Sequence, residues 1–206
     1  MKILFLDTSS SFVTIAVIED NNVLFMYHDI IKDDMSSKIM PIISSGFEKL
    51  NFSINDIDKV MVANGPGSFT GIRIGVTIAK VVAWSLKKDI ICISSLELYA
   101  STNVDTKYVV PMIDARRGYV YTGIYDNELN VVIDDNYVLY DTFINSINGK
   151  YTIVSFDNIV NSIKPNIDLI KVVNKHKYDE SMIVHKVKPR YLKKTEAEEK
   201  LENKND

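Results

Sequence analysis

The segment Ala63–Gly75, ANGPGSFTGIRIG, constrains the fold more than any other part of the chain. An apolar run, Lys59–Ala63, precedes it, and a long helical pattern, Phe69–Leu86, follows. Strand, glycine turn and helix in that order point to an α/β sheet with crossover helices. Gly65 and Gly67 permit positive φ or the close approach of a ligand or of other backbone. N–H groups at the start of the helix can hold an anion. The turn is not a Walker A loop, since it lacks the Gly-Lys-Ser/Thr ending and has no lysine nearby; a GxGxxG motif with its downstream acid does not fit either. A phosphate cradle and a purely structural turn both remain open. The side chains that would serve an anion are Ser68 and Arg73 here, and Arg116 and Arg117 further on.

The helix behind the turn carries a second signal. Gly71, Gly75, Ala79 and Ala83 recur every four residues and form a stripe that lets another backbone come close. Ile74, Ile78, Val81 and Val82 occupy other faces, so the helix is apolar on more than one side and needs two partners. A second helical stripe, Ile39, Ile43, Phe47 and Leu50, runs through Ser36–Leu50. Either the stripes are buried between sheet and neighbouring helix, or they form a subunit interface. The interface set is Ile39, Ile43, Phe47, Gly71, Ile74, Gly75, Ile78, Ala79, Val82 and Ala83.

Three strands are expected before these helices, at Lys2–Leu6, Val13–Ile18 and Val23–His28, with tight polar turns between them. Ile90–Ile93 is a further strand, and Ser94 or Ser95 caps a short helix through Ala100. The order is βββαβαβα. A polar segment at Asn103–Thr106 marks a boundary, after which Tyr108–Ile113, Tyr119–Tyr125 and Val131–Leu139 open a second three-strand meander. The expected organisation is a first lobe at 1–103, a reduced second lobe at 104–192 and a charged, flexible tail at 193–206. Within the tail, Thr195–Leu201 reads as a frayed helix and Asn203–Asp206 as disordered. Two lobes that begin alike indicate a duplicated α/β architecture, and by fold-level analogy it resembles the actin-like, two-lobed fold with βββαβα-type lobes.

Composition narrows function mainly by exclusion. The chain has 206 residues and a formal net charge of −3, which argues against tight nucleic-acid binding by the chain alone. A single cysteine, Cys92, rules out an internal disulfide and a zinc–cysteine cluster, and sits in a strand. The apolar run after Met1 is too short for a signal peptide. No stretch reaches the roughly 20 apolar residues of a membrane span, so the cytoplasm is expected. His28, His176 and His185 form no HxxxH pair and are expected at the surface. Asp7 closes the first strand and is expected to be solvated or capping, or else to orient Mg²⁺ or water. No catalytic set, metal site or cofactor site follows from spacing.

Four segments resemble the TsaB family: Ile3–Ser9, Gly65–Gly75, Ile113–Tyr121 and Pro189–Leu192, in family order across nearly the whole chain. The resemblance implies an actin-like fold and pairing with TsaD, the catalytic paralogue, through a bundle of first-lobe helices. It also implies a larger complex with the ATPase TsaE, and a role in forming N6-threonylcarbamoyladenosine at position 37 of ANN-decoding tRNAs, with tRNA contacted indirectly. By motif order, Ser95 and Tyr99 stand where TsaD-like relatives carry two metal-binding histidines, which implies a non-catalytic accessory subunit without cofactor or metal. An isolated chain is expected to dimerise through the same helices. The competing readings are a self-sufficient ATP-dependent small-molecule kinase and a glycopeptidase.

Overall fold

A computed structural model of the chain describes residues 1–193; the expected tail helix and disordered end lie outside them. The first sheet contains β1 (Lys2–Asp7), β2 (Phe12–Glu19), β3 (Asn22–Ile30), β4 (Lys59–Ala63) and β5 (Asp89–Ile93) in the order β3-β2-β1-β4-β5. The first three strands are antiparallel, and β4 and β5 add in parallel. Helix α1 (Met35–Leu50) connects β3 to β4, α2 (Phe69–Leu86) connects β4 to β5, and α3 (Ser95–Ala100) follows β5. Ser94 caps α3, accepting from Leu96 N–H. At α1 Asp34 stands at the N-cap in the left-handed region and makes no side-chain cap bond.

The second sheet repeats the plan. It contains β6 (Tyr108–Asp114), β7 (Tyr119–Asp126), β8 (Val131–Leu139), β9 (Tyr151–Val154) and β10 (Ser162–Ile163), in the order β10-β9-β6-β7-β8. Read from the other edge, this is the same arrangement as in the first sheet. Helix α4 (Tyr140–Ser146) stands where α1 stands, and α5 (Leu169–His176) where α3 stands. No helix separates β9 from β10, so the counterpart of α2 is missing and the second half is reduced.

Alternation along β1 explains its unbroken apolar sequence. Leu4 and Leu6 face α1 and α2, whereas Ile3 and Phe5 face the opposite core. That opposite core contains Leu96, Tyr99 and Ala100 of α3, Val172 and Val173 of α5, and Val109, Ile113 and Tyr125 of the second sheet, so the two halves share one interior.

The chain does not end with the second sheet. After α5 it returns to the first: Met182 N–H donates to Ile90 carbonyl at 2.9 Å and Arg190 N–H to Asn64 carbonyl at 2.7 Å. Lys80 Nζ donates to the carbonyl of Val187 at 2.9 Å. The span 104–192 therefore includes a strap, residues 182–191, that packs on the first half. A 3-10 turn, Val184–Lys186, lies in the strap beside α2. By length and composition alone α2 passes for a membrane span, as a buried core helix also does. One face of it is buried against the first sheet.

Candidate functional site

The stripe of small residues on α2 faces inward. Thr8 Oγ1 donates to the Gly71 carbonyl at 2.7 Å. A Cβ on Gly71 would overlap the Thr8 carbonyl, and one on Gly75 would overlap the Thr8 hydroxyl. The two glycines let α2 settle directly onto the end of β1. Ile39, Ile43, Phe47, Ala79, Val82 and Ala83 are buried in the same core. These residues and the two glycines, which the sequence offered as part of a subunit interface, are buried within the chain. Ile74 and Ile78 are only partly buried. Hydrophobic period alone does not say which of two apolar faces looks outward.

The outward face is a different row. Phe69, Val81 and Trp84 are 50%, 57% and 63% exposed, and Met40 of α1 is 47% exposed. Met40 and Ser36 form one wall of a groove of about 440 Å³; Phe69, Arg73, Ile74 and Ile78 line the other. Arg73 does not wait for an anion here. Its guanidinium lies 3.7 Å from the Phe69 ring centroid, and its Nε donates to Tyr191 OH at 2.7 Å. Tyr191 stacks on Phe69 with centroids 5.2 Å apart. The strap and α2 together build this aromatic corner, which sequence reasoning missed. Phe69 and Tyr191 lie far apart in the chain, so no local pattern signalled it.

The other anion candidates are divided. Ser68 caps α2 by accepting from Gly71 N–H, and its own N–H donates to the Ser9 carbonyl at 2.6 Å. Gly67, at φ +150°, allows that approach, since a Cβ there would strike Ser9. Two donors that an anion would use at the helix start are thereby engaged. Ser68 and Arg116 do share one cleft of about 510 Å³ between the two sheets, with Ser9–Ser11, Asp114, Tyr121, Asp157 and Lys193. Arg117 stands exposed beside Arg116 on the β6–β7 turn.

Several buried polar groups lie near this cleft. Asp7 is 1% exposed rather than solvated. Burial pushes its carboxyl up to about 6, and hydrogen bonding from Ser9, including its N–H at 2.8 Å, offsets only part of that. Ser95 Oγ and Tyr99 OH are buried without a hydrogen-bond partner among the described residues, and burial raises the Tyr99 phenol. Among the described residues no three or more His, Cys, Asp or Glu side chains converge as a metal site. Burial also raises the Cys92 thiol to about 11, an inert setting.

Two histidines expected at the surface are packed. His28 Nδ1 is 2.9 Å from Thr14 Oγ1, beside Phe12 and Phe156, and burial lowers its pKa. His176 lies between Glu97, 2.9 Å from Nε2, and Asp179, 2.6 Å from Nδ1. Burial lowers its pKa, but the two carboxylates outweigh burial and the net shift is upward. His185 is exposed near Trp84.

Two sheets of equal order, sharing one core and facing across a cleft, define a two-lobed α/β protein of the actin-like type. A family model described as TsaD, tRNA N6-adenosine threonylcarbamoyltransferase, matches residues 29–150. The tRNA threonylcarbamoyladenosine biosynthesis protein TsaB of Bacillus subtilis is 42% identical over 146 residues, covering 68% of this chain and 64% of that protein. The protein of the same name from Escherichia coli is 31% identical over 134 residues, covering 63% and 57%. The chain spans about three fifths of the length of these curated relatives. A crystal structure from Pseudomonas aeruginosa, described as an uncharacterized protein with similarity to peptidase YEAZ, has the same fold. Its TM-score is 0.78 at 18% identity, over 93% of this chain and 99% of that one. The chain belongs to the TsaD family, in its TsaB (YeaZ) group.

Proposed function

We propose that this chain is a non-catalytic partner of a TsaD-type threonylcarbamoyltransferase. In that role it binds TsaD through the outward face of α1 and α2. It organises the enzyme that forms N6-threonylcarbamoyladenosine at position 37 of ANN-decoding tRNAs, in the cytoplasm. TsaE joins the larger complex, and without TsaD the same face pairs two copies of the chain. The lobes that carry these roles are 1–103, with the helices, and 104–192, whose strap braces the first.

The observation that carries the reading is the exposed row Phe69, Val81 and Trp84, with Met40 across the groove. An apolar helix face of this kind is the mark of a protein contact. The accessory role is further supported by Ser95 and Tyr99, which offer a hydroxyl and a phenol at positions where the resemblance places metal-binding imidazoles.

The test is co-purification with TsaD and reconstituted tRNA modification. Trp84→Glu and Met40→Glu, both on the surface, should abolish association and reduce modification while leaving the thermal melt unchanged. Undiminished TsaD binding by both variants would remove α1 and α2 from the interface.

A further inference from the structure

The β6–β7 hairpin breaks a local rule at its tip. Arg116, Arg117 and Gly118 have φ of 69°, 55° and 77°. Turns of this kind prefer asparagine and glycine, because L side chains crowd the following carbonyl in the left-handed region. Two successive arginines therefore hold an unfavourable backbone. Such departures collect where a side chain is needed for a task other than folding. Both arginines are exposed, and among the described residues neither has a carboxylate within salt-bridge distance. The nearby acids serve the backbone instead. Asp114 accepts from Arg116 N–H at 2.8 Å, and Asp157 accepts from Asp114 N–H at 2.8 Å.

Behind the tip lies an aromatic platform. Tyr119 and Tyr121 alternate onto one face of β7, and Tyr137 stands opposite Tyr121 on β8. The Tyr119 and Tyr137 rings stack at 4.6 Å and 11°, and Tyr121 lies 5.6 Å from Tyr137. Lys193 Nζ is 5.5 Å from the Tyr137 centroid. Tyr121, Arg116 and Lys193 line the same cleft, and Lys193 joins it to the Tyr137 ring.

We infer that this face, Arg116, Arg117, Tyr119, Tyr121, Tyr137 and Lys193, contacts single-stranded RNA. Aromatic rings that accept unstacked bases, flanked by cations that take the phosphates, are how such strands are held without sequence reading. An acidic polypeptide would use the cations and leave the rings idle. The choice of RNA rests on the role in tRNA modification proposed above. With a net charge of −3 the contact is weak alone and adds to binding inside the assembly.

The full chain is titrated with a labelled oligoribonucleotide of about ten nucleotides, read by fluorescence anisotropy. Saturable binding is expected with Kd of about 100 µM in about 50 mM salt, with a log–log salt slope of about −2 for three cations. Tyr137→Ala should weaken it about tenfold, and Tyr137→Phe should restore it. The double variant Arg116→Asn/Arg117→Gly supplies the turn's preferred residues. It should melt no lower than the parent, lose binding about tenfold and reduce the slope to about −0.7. The inference is overturned by absent binding, by binding indifferent to Tyr137→Ala, or by equally strong competition from polyglutamate. TsaD co-purification is scored on the same variants and should not change. Loss of TsaD binding by the parent chain would sink the proposed function and leave the RNA result readable.

Discussion

Arg190 Nη1 lies 2.7 Å from Asp135 Oδ2, and this contact ties the C-terminal strap to the second sheet. The Asp135 side chain is 2% exposed and also accepts from Ser94 Oγ and Tyr125 OH, each at 2.5 Å. One buried carboxylate thus gathers the cap of α3, the second sheet and the strap. Removing Asp135 strands three donors, whereas removing Arg190, which is partly solvated, leaves two of them in place. Asp135→Ala should cost about 3–5 kcal/mol and Arg190→Ala about 1–2 kcal/mol, read by urea denaturation. Equal losses below about 0.5 kcal/mol would show that the junction is held elsewhere.

Gly71 and Gly75 touch different parts of one residue, and that difference is testable. The obstacle at Gly75 is the Thr8 hydroxyl, while at Gly71 it is the Thr8 carbonyl. Gly75→Ala and Gly71→Ala should each destabilise by about 1–3 kcal/mol, despite alanine's better helix propensity. Adding Thr8→Ala should recover part of the loss in Gly75→Ala and none in Gly71→Ala. Recovery in both would mean that α2 does not rest on the backbone of Thr8.

His176 makes stability depend on pH in a defined direction. Its folded pKa is raised by Glu97 and Asp179, with Lys175 Nζ also 2.6 Å from Glu97. The stabilisation is complete below the unfolded value of about 6.5 and is lost as pH rises through the folded value. His28, lowered by burial, acts oppositely and loses its contribution as pH falls. His176→Gln should flatten the fall in melting temperature between about pH 6 and pH 8. A parent chain whose melting temperature climbs across that window, with the variant unchanged from it, would contradict the assignment.

Asp7 imposes the reverse of an ordinary carboxylate's effect. Its folded pKa of about 6 exceeds the usual 3.8, so its contribution is fully present below 3.8 and is lost as pH rises through about 6. Asp7→Asn removes the cost of burying the charge. The stability of that variant relative to the parent should rise by about 2 kcal/mol between pH 4 and pH 8. A constant difference would mean that Asp7 is not desolvated in the folded chain.

Much of the architecture was legible because local physics dictated it. The period-two strands, the Ser36–Leu50 and Phe69–Leu86 helices, the Ser94 cap and the repeated three-strand opening all follow from residue spacing. The candidate site was less legible. Gly71, Gly75, Ala79 and Ala83 announce a close contact, but the partner is Thr8 and the first sheet. Phe69, Val81 and Trp84 lie on the same helix and look outward, a distinction no periodicity contains. His28 and His176 read as ordinary surface residues until other strands and helices brought Thr14, Phe156 and Glu97 against them.

The sequence by itself determined the element order, the duplicated sheet plan and the family, because backbone preference, side-chain alternation and glycine-dependent turns act over a few residues. Only the tertiary structure decided which apolar face of α2 is buried in the core and which is exposed. It also decided that Asp7 is buried, and that Asp135 joins the strap to both halves. Those outcomes depend on contacts between residues far apart in the chain, and burial and charge pairing exist only once those contacts have formed.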